Sequence, residues 1–150
     1  MCTSHLCDLG NVLGGANILP ACEATFRTWH KCVRAMMQAI EGTENDTAAE
    51  SHFELFVNDH VADDVMLAPP TYFATYTGKG PFAVILTSVA KVFGTTFTYH
   101  RQWLSADGRE WALEFTSDNI GGTKKSVRGI DLVSLDARGR IVSFRILAGA

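Results

Sequence analysis

The stretch from Ser126 to Gly149, SVRGIDLVSLDARGRIVSFRILAG, alternates apolar and polar residues with a period of two on both sides of DARGR. Strict alternation marks a half-buried strand, and a short Gly-containing connection marks a hairpin. The same signature runs upstream, through turn signals in ADGR and IGGT. Strands are expected at about 95–105, 109–118, 125–136 and 140–148. Four consecutive antiparallel strands need one face covered, and the rest of the chain has to supply the cover.

The cover is helical. Phe26, Trp29, Val33, Met36, Met37 and Ile40 follow the i, i+3/i+4, i+7 spacing of a helix from about Cys22 to Glu41, with Pro20 just ahead of it. A second helix is expected from about Thr47 to Val57, with Phe53 and Phe56 on its apolar side and Asp46 or Thr47 as cap. ADDVMLAPP reads as a short strand entering a Pro-rich loop that carries Tyr72 and Tyr76, either a lid or plain loop tyrosines, and a third helix runs from about Pro81 to Phe93. Residues 1–21 read as an arm and 22–150 as one α+β domain, with three helices packed on the concave face of a curved antiparallel sheet.

Composition excludes several classes. The chain of 150 residues is 47% apolar and 19% charged, ordinary for one globular domain. Its net charge is −3 and its 13 Lys and Arg are scattered, so no basic stripe fits a nucleic-acid backbone. No run reaches the roughly 20 apolar residues of a membrane span. Cys2, Cys7, Cys22 and Cys32 all lie in the first quarter, where a disulfide framework would spread further. With an N-terminus unlike a signal peptide, this reads as a cytoplasmic protein with free thiols. Cys2, His5 and Cys7 are close together, but His30 and Cys32 point about 200° apart on a helix, so no metal site is expected.

The chemistry turns on faces. In an extended Ser126–Leu135, Val127, Gly129, Asp131, Val133 and Leu135 share one side, and Asp131 is a carboxylate among apolar neighbours. An unpartnered buried carboxylate costs several kcal/mol, roughly, so its presence calls for a role. If Gly121-Gly122 is a two-residue turn, Ala112 falls opposite Asp131 and Glu114 lies diagonal to it, roughly 7–8 Å away. Counting through Asp107-Gly108 brings Arg101 opposite Glu114, Trp103 opposite Ala112 and Tyr99 opposite Thr116. A four-residue DARG loop puts Phe144 opposite Asp131, with Ile146 on the same side. The expected surface carries Asp131, Glu114 and Arg101 as catalytic residues, with Tyr99, Trp103, Val127, Phe144 and Ile146 against substrate. A bulge would exchange Arg101 for His100 or Gln102. The other face, with Trp111, Leu113, Phe115, Ile130 and Leu132, is also apolar, and a homodimer through it is expected.

The order helix, helix, strand, helix, meander resembles the cone-shaped fold of the nuclear transport factor 2 (NTF2-like) superfamily. GIDLVSLDARGRIVSFRILAG is similar to the C-terminal hairpin of the ketosteroid isomerases, and their oxyanion-hole aspartate falls on Asp131. FVNDHVADDVMLAPP resembles the segment preceding the general base of those enzymes, and that base falls on Pro69, which takes no proton. The oxyanion-hole tyrosine of their first helix has no counterpart here. YTGKGPFAVIL and EWALEF resemble the SnoaL-like branch, which includes polyketide cyclases. Asp131, Glu114 and Arg101 together are similar to the Asp-Arg-Asp arrangement of limonene-epoxide hydrolases.

Each of these residues also has a structural reading. Asp131 is either a poised acid or a carboxylate satisfied by backbone or Arg128. Glu114 is either a base held ionised by Arg101 or half of a surface ion pair. His30 is either at the pocket mouth or simply packed. Two functions stand on this. One is a cofactor-independent enzyme that cyclises, isomerises or opens an epoxide on a hydrophobic oxygenated molecule such as a polyketide or terpenoid intermediate. The other is a non-catalytic NTF2-like domain that binds a small molecule or a protein partner.

Overall fold

A computed structural model describes residues 17–42, 46–70, 74–118 and 120–149. Cys2, His5, Cys7 and Tyr72 lie outside the described residues. Three helices, α1 (Pro20–Glu41), α2 (Asp46–His60) and α3 (Lys79–Phe93), pack against one face of a six-stranded sheet. The strands are β1 (Val61–Ala68), β2 (Tyr76–Thr77), β3 (Thr98–Leu104), β4 (Glu110–Ser117), β5 (Val127–Leu135) and β6 (Ile141–Gly149).

Local chemistry explains the helix ends. Pro20 opens α1 at its first turn, where a missing N–H costs nothing, after an extended Leu19. Gly42 ends it in the left-handed region, φ 79°, with its N–H returned to Ala39 O. Of the expected stripe, Phe26 and Trp29 are buried at 1% and 4% exposure, Val33, Met36 and Met37 are half-buried, and Ile40 at the end of the helix is exposed. The helix starts two residues earlier than its spacing indicates, because Leu19 N donates to Asp107 O at 2.9 Å and Ile18 sits on the β3–β4 turn. α2 runs to His60 and passes straight into β1.

The sheet order is β2-β1-β6-β5-β4-β3. It is mixed rather than antiparallel throughout: β1 pairs parallel with β6, and the other pairs are antiparallel. The chain leaves β1 through α3 and the β3–β5 meander before β6 comes alongside, and such a crossover permits the parallel pairing. Tyr76–Thr77, expected as loop, forms β2 on the far edge of β1.

Register departs from the expected count in two places that matter, the β4–β5 turn and a bulge in β3. Gly121-Gly122 is no two-residue turn; Ile120–Gly122 makes a 3₁₀ turn, and Ile120 N reaches Lys125 O at 3.1 Å. Leu113, rather than Ala112, therefore lies opposite Asp131, and Phe115 opposite Gly129. A shift of one residue turns every side chain of β4 over. Trp111, Leu113 and Phe115 consequently face the helices and are at most 2% exposed. Glu114 goes to the outer face. Trp103 still pairs with Ala112, so it follows β4 outward. A bulge between Tyr99 and Gln102 then returns Tyr99 to the inner face and leaves Arg101 outside. The β5–β6 pairing is offset by two, with Asp131 opposite Ile146 and Val133 opposite Phe144, so those faces are kept.

Five phenylalanines, Phe26, Phe56, Phe82, Phe115 and Phe144, are fully buried between the layers. Each contributes about 1.5–3 kcal/mol by leaving water. Gly129 makes the fit possible: a Cβ there would lie 2.6 Å from Phe115 Cζ and 2.3 Å from Leu147 O. Gly129→Ala should lose about 1–3 kcal/mol or more in urea unfolding, as overpacking does. Gly80→Ala, with nothing within 4 Å of its new methyl, should be neutral or gain about 0.4–1 kcal/mol.

Candidate active site

The inner face of β3–β6 holds one short polar chain. Tyr99 Oη donates to Asp131 Oδ2 at 2.5 Å, and Trp29 Nε1 on α1 donates to Tyr99 Oη at 3.2 Å. Asp131 is 4% exposed and Tyr99 3%. Burial pushes the Asp131 carboxyl up to about 7, with the Tyr99 hydrogen bond acting the other way. Burial, and then the Asp131 charge, push the Tyr99 phenol well above its ordinary value. Tyr99 is thus a fixed donor, and Asp131 changes charge near neutrality.

These groups border a cavity of about 40 Å³. Its walls are apolar: Val33, Met36 and Met37 from α1, Leu86 and Val89 from α3, and Phe144 and Ile146 from β6. Asp131 is the one carboxylic acid lining it among the described residues. Val127 lies on the same face, half-buried against the core.

Glu114, Arg101 and Trp103 are elsewhere. On the outer face Arg101 Nε and Nη2 hold the Glu114 carboxylate at 3.2 and 3.0 Å, and the guanidinium lies 5.2 Å over the Trp103 ring. The Arg101 hydrogen bonds keep the Glu114 carboxyl below its usual range. With the Arg101 side chain 71% exposed, this is a surface pair of small energetic weight. An Asp-Arg-acid constellation is not assembled around Asp131.

Three inward residues replace them. Trp29 was visible only as a member of the α1 stripe, although an indole N–H in a core needs an acceptor and Tyr99 provides it. Gln102 faces inward because it pairs with Leu113 on the turned-over β4. The His30 and Tyr99 rings meet nearly at right angles with centroids 5.3 Å apart, and burial lowers the His30 pKa to about 4, so it is neutral at physiological pH. Gln102 opposes that shift, yet His30 Nε2 and Gln102 Oε1 have no hydrogen-bond partner among the described residues.

Solved structures identify the fold. A steroid delta-isomerase from Pseudomonas aeruginosa superposes with TM-score 0.70 and 27% identity, over 89% of this chain and 82% of that one. The chain belongs to the NTF2-like superfamily. An uncharacterised protein with a cystatin-like fold from Silicibacter pomeroyi is 30% identical over 83% of this NTF2-like chain and 78% of its own, with TM-score 0.57. A putative SnoaL-like polyketide cyclase from Shewanella putrefaciens covers 99% of the chain and 88% of its own at TM-score 0.57, and its 12% identity is a likeness of fold. No protein-family model and no curated protein matches this NTF2-like chain. No helix among the described residues is long and apolar enough to cross a membrane.

The sign of the Asp131 titration gives a test. Its folded pKa of about 7 lies above the unfolded value of ~3.9. The folded protein therefore holds the proton longer, and stability falls as pH rises between about 4 and about 7, then levels off. Asp131→Asn removes that slope, so its stability relative to the parent should grow by roughly 1.4 kcal/mol per pH unit across the window. Urea unfolding of both proteins at pH 5, 6, 7 and 8 measures it.

Proposed function

We propose that this chain is a cofactor-independent acid/base enzyme, an isomerase or cyclase acting on a hydrophobic oxygenated small molecule. The observation that carries this reading is a buried Asp131 with a pKa of about 7 and a Tyr99 hydroxyl at 2.5 Å in an otherwise apolar cavity. A general acid or base works best with a pKa near the working pH, and proton transfer of this kind accelerates a reaction about 10²–10⁴-fold. The resemblance to a steroid delta-isomerase supports the same class of chemistry.

One carboxylate is enough for a proton shift. Ionised Asp131 takes a proton from a carbon beside a carbonyl, forming the O–H bond as the C–H bond breaks, and the electron pair moves to the carbonyl oxygen. While Asp131 is ionised, the single proton of Tyr99 points at Oδ2. Once Asp131 is protonated it donates back to Tyr99 Oη, and the Tyr99 proton is released toward the substrate's developing oxyanion. Trp29 Nε1–H holds the phenol in place through both states. Return of the Asp131 proton to another carbon completes an isomerisation and restores the starting arrangement.

A second reading has its own observation. About 40 Å³ holds little more than water, against about 300–1,000 Å³ for usual ligand pockets. A cavity filled by its own side chains is what a non-catalytic binding domain would show. Localisation in the cytoplasm and a homodimer remain part of the proposal. The dimer would use the outer sheet face, where Ile130 and Leu132 are half-buried and Leu147 is 47% exposed.

Proton exchange separates the two. With a panel of β,γ-unsaturated and other enolisable neutral ketones in deuterated water, the enzyme reading expects deuterium incorporation or double-bond migration. The rate should rise with pH through an inflection near 7. Asp131→Asn should lose about 10²–10⁴-fold, and Tyr99→Phe a part of that. Glu114→Gln and Arg101→Ala should stay within about twofold, since surface pairs contribute little. Equal rates in Asp131→Asn and the parent would leave the binding-domain reading.

A further inference from the structure

α1, α2 and α3 leave an open groove of about 520 Å³ between them. Ala49, Phe53 and Val57 form its buried floor, and Ile40 and Val84 stand at its rim, 39% and 68% exposed. Met36 and Ala90 line both this groove and the Asp131 cavity. One thioether chain and one methyl group thus border both spaces. Methionine, unbranched with three rotatable bonds, is the side chain best able to move aside at little cost.

The two volumes complement each other. The groove is in the size range of small-ligand sites and carries no poised acid, whereas the cavity has the acid and no room. The groove's charged and polar groups narrow the occupant. Glu50 and Glu54 on α2 outnumber Lys91 on α3, so the lining as a whole opposes an anion. The Thr87 and Ser88 hydroxyls already donate to Ala83 O and Val84 O, at 2.7 and 3.0 Å, so neither donor seeks a ligand.

We infer that groove and cavity are two compartments of one binding site for a neutral, elongated lipophile. Its hydrocarbon body lies on Phe53, Val57 and Val84, and its carbonyl end passes between Met36 and Ala90 to Tyr99 and Asp131. This rests on the reading of Asp131 as the proton-transfer group, and it adds the entry route and the charge and shape of the substrate. A carboxylated analogue of the same skeleton is disfavoured by the groove, where two carboxylates stand against one ammonium.

Nile red, a neutral fused-ring dye with one carbonyl, serves as the probe. It is titrated into the full chain by fluorescence while the Asp131 carboxyl carbon is followed by NMR. Saturable binding that moves the Asp131 resonance is expected. Val84→Glu should weaken it tenfold or more, and Leu55→Glu, 59% exposed on α2 outside the groove, should leave it unchanged. Met36→Ala should bind at least as well and show a larger Asp131 response. Equal weakening by Val84→Glu and Leu55→Glu would mean adsorption to exposed apolar surface and overturn the inference. So would a saturated groove with an unmoved Asp131 resonance. The catalytic reading fails separately, if Asp131 in the free protein titrates at an ordinary carboxyl value. A probe that still moves its resonance would then support the two-compartment site without the chemistry.

Discussion

The hydrogen bond from Tyr99 to Asp131 spans two strand spacings, from β3 across β4 to β5. Neighbouring strands lie about 4.7–4.9 Å apart, so a side chain crossing β4 has to be long and rigid. A phenol meets that requirement and a serine or threonine does not. The reach also needs clearance over β4, where Leu113 and Phe115 point to the same side. Phe115 finds its space over Gly129, which has no Cβ to meet it. Trp29 then closes the arrangement from the helix layer by donating to the same phenol oxygen. The packing of α1 on the sheet and the protonation state of Asp131 are therefore coupled through one oxygen atom.

Much of this was readable from residue order. Period-two alternation located β3 to β6, the 3.6-residue stripe located α1, and a lone acid on the apolar face of β5 pointed to Asp131. Phe144 and Ile146 stayed on that face because the β5–β6 offset is two, and an even offset conserves faces. Glu114 went wrong through a single turn: Gly-Gly suggests a two-residue hairpin, but Ile120–Gly122 wound into a 3₁₀ turn. The hydrophobic pattern of β4, apolar at Trp111, Leu113 and Phe115 and nearly neutral at Ala112 and Thr116, points to the right face, but a Gly-Gly pair is the stronger short-range hairpin signal. The aromatic set is the face that went to the core. Bulges are harder still, since the one before Gln102 leaves no turn residue to mark it.

The outer-face pair of Arg101 and Glu114 illustrates how residue types mislead without faces. A guanidinium holding a carboxylate through two hydrogen bonds is the same chemistry in a pocket or in water. Solvent decides the outcome: outside, the pair is screened and Glu114 stays ionised, whereas the lack of water around Asp131, a strand away, raises its pKa to about 7. The NTF2-like fold offers both environments on the two sides of one sheet.

Enclosure carries a further consequence for how such a site is used. The raised Asp131 pKa comes from exclusion of water by Met36, Val89, Phe144 and their neighbours. An opening wide enough to admit a ligand also admits water, and water would restore the carboxylate's preference for charge. The acid stays poised only if whatever enters is itself dry and fills the space it opens. A hydrocarbon body seated on Phe53 and Val57 would keep the groove side sealed while Met36 moves, replacing one apolar wall by another. A small polar molecule of the same reactivity would flood the cavity and lower the Asp131 pKa toward its ordinary value. Selection for lipophilic substrates then follows from the electrostatics of the acid as much as from the shape of the groove.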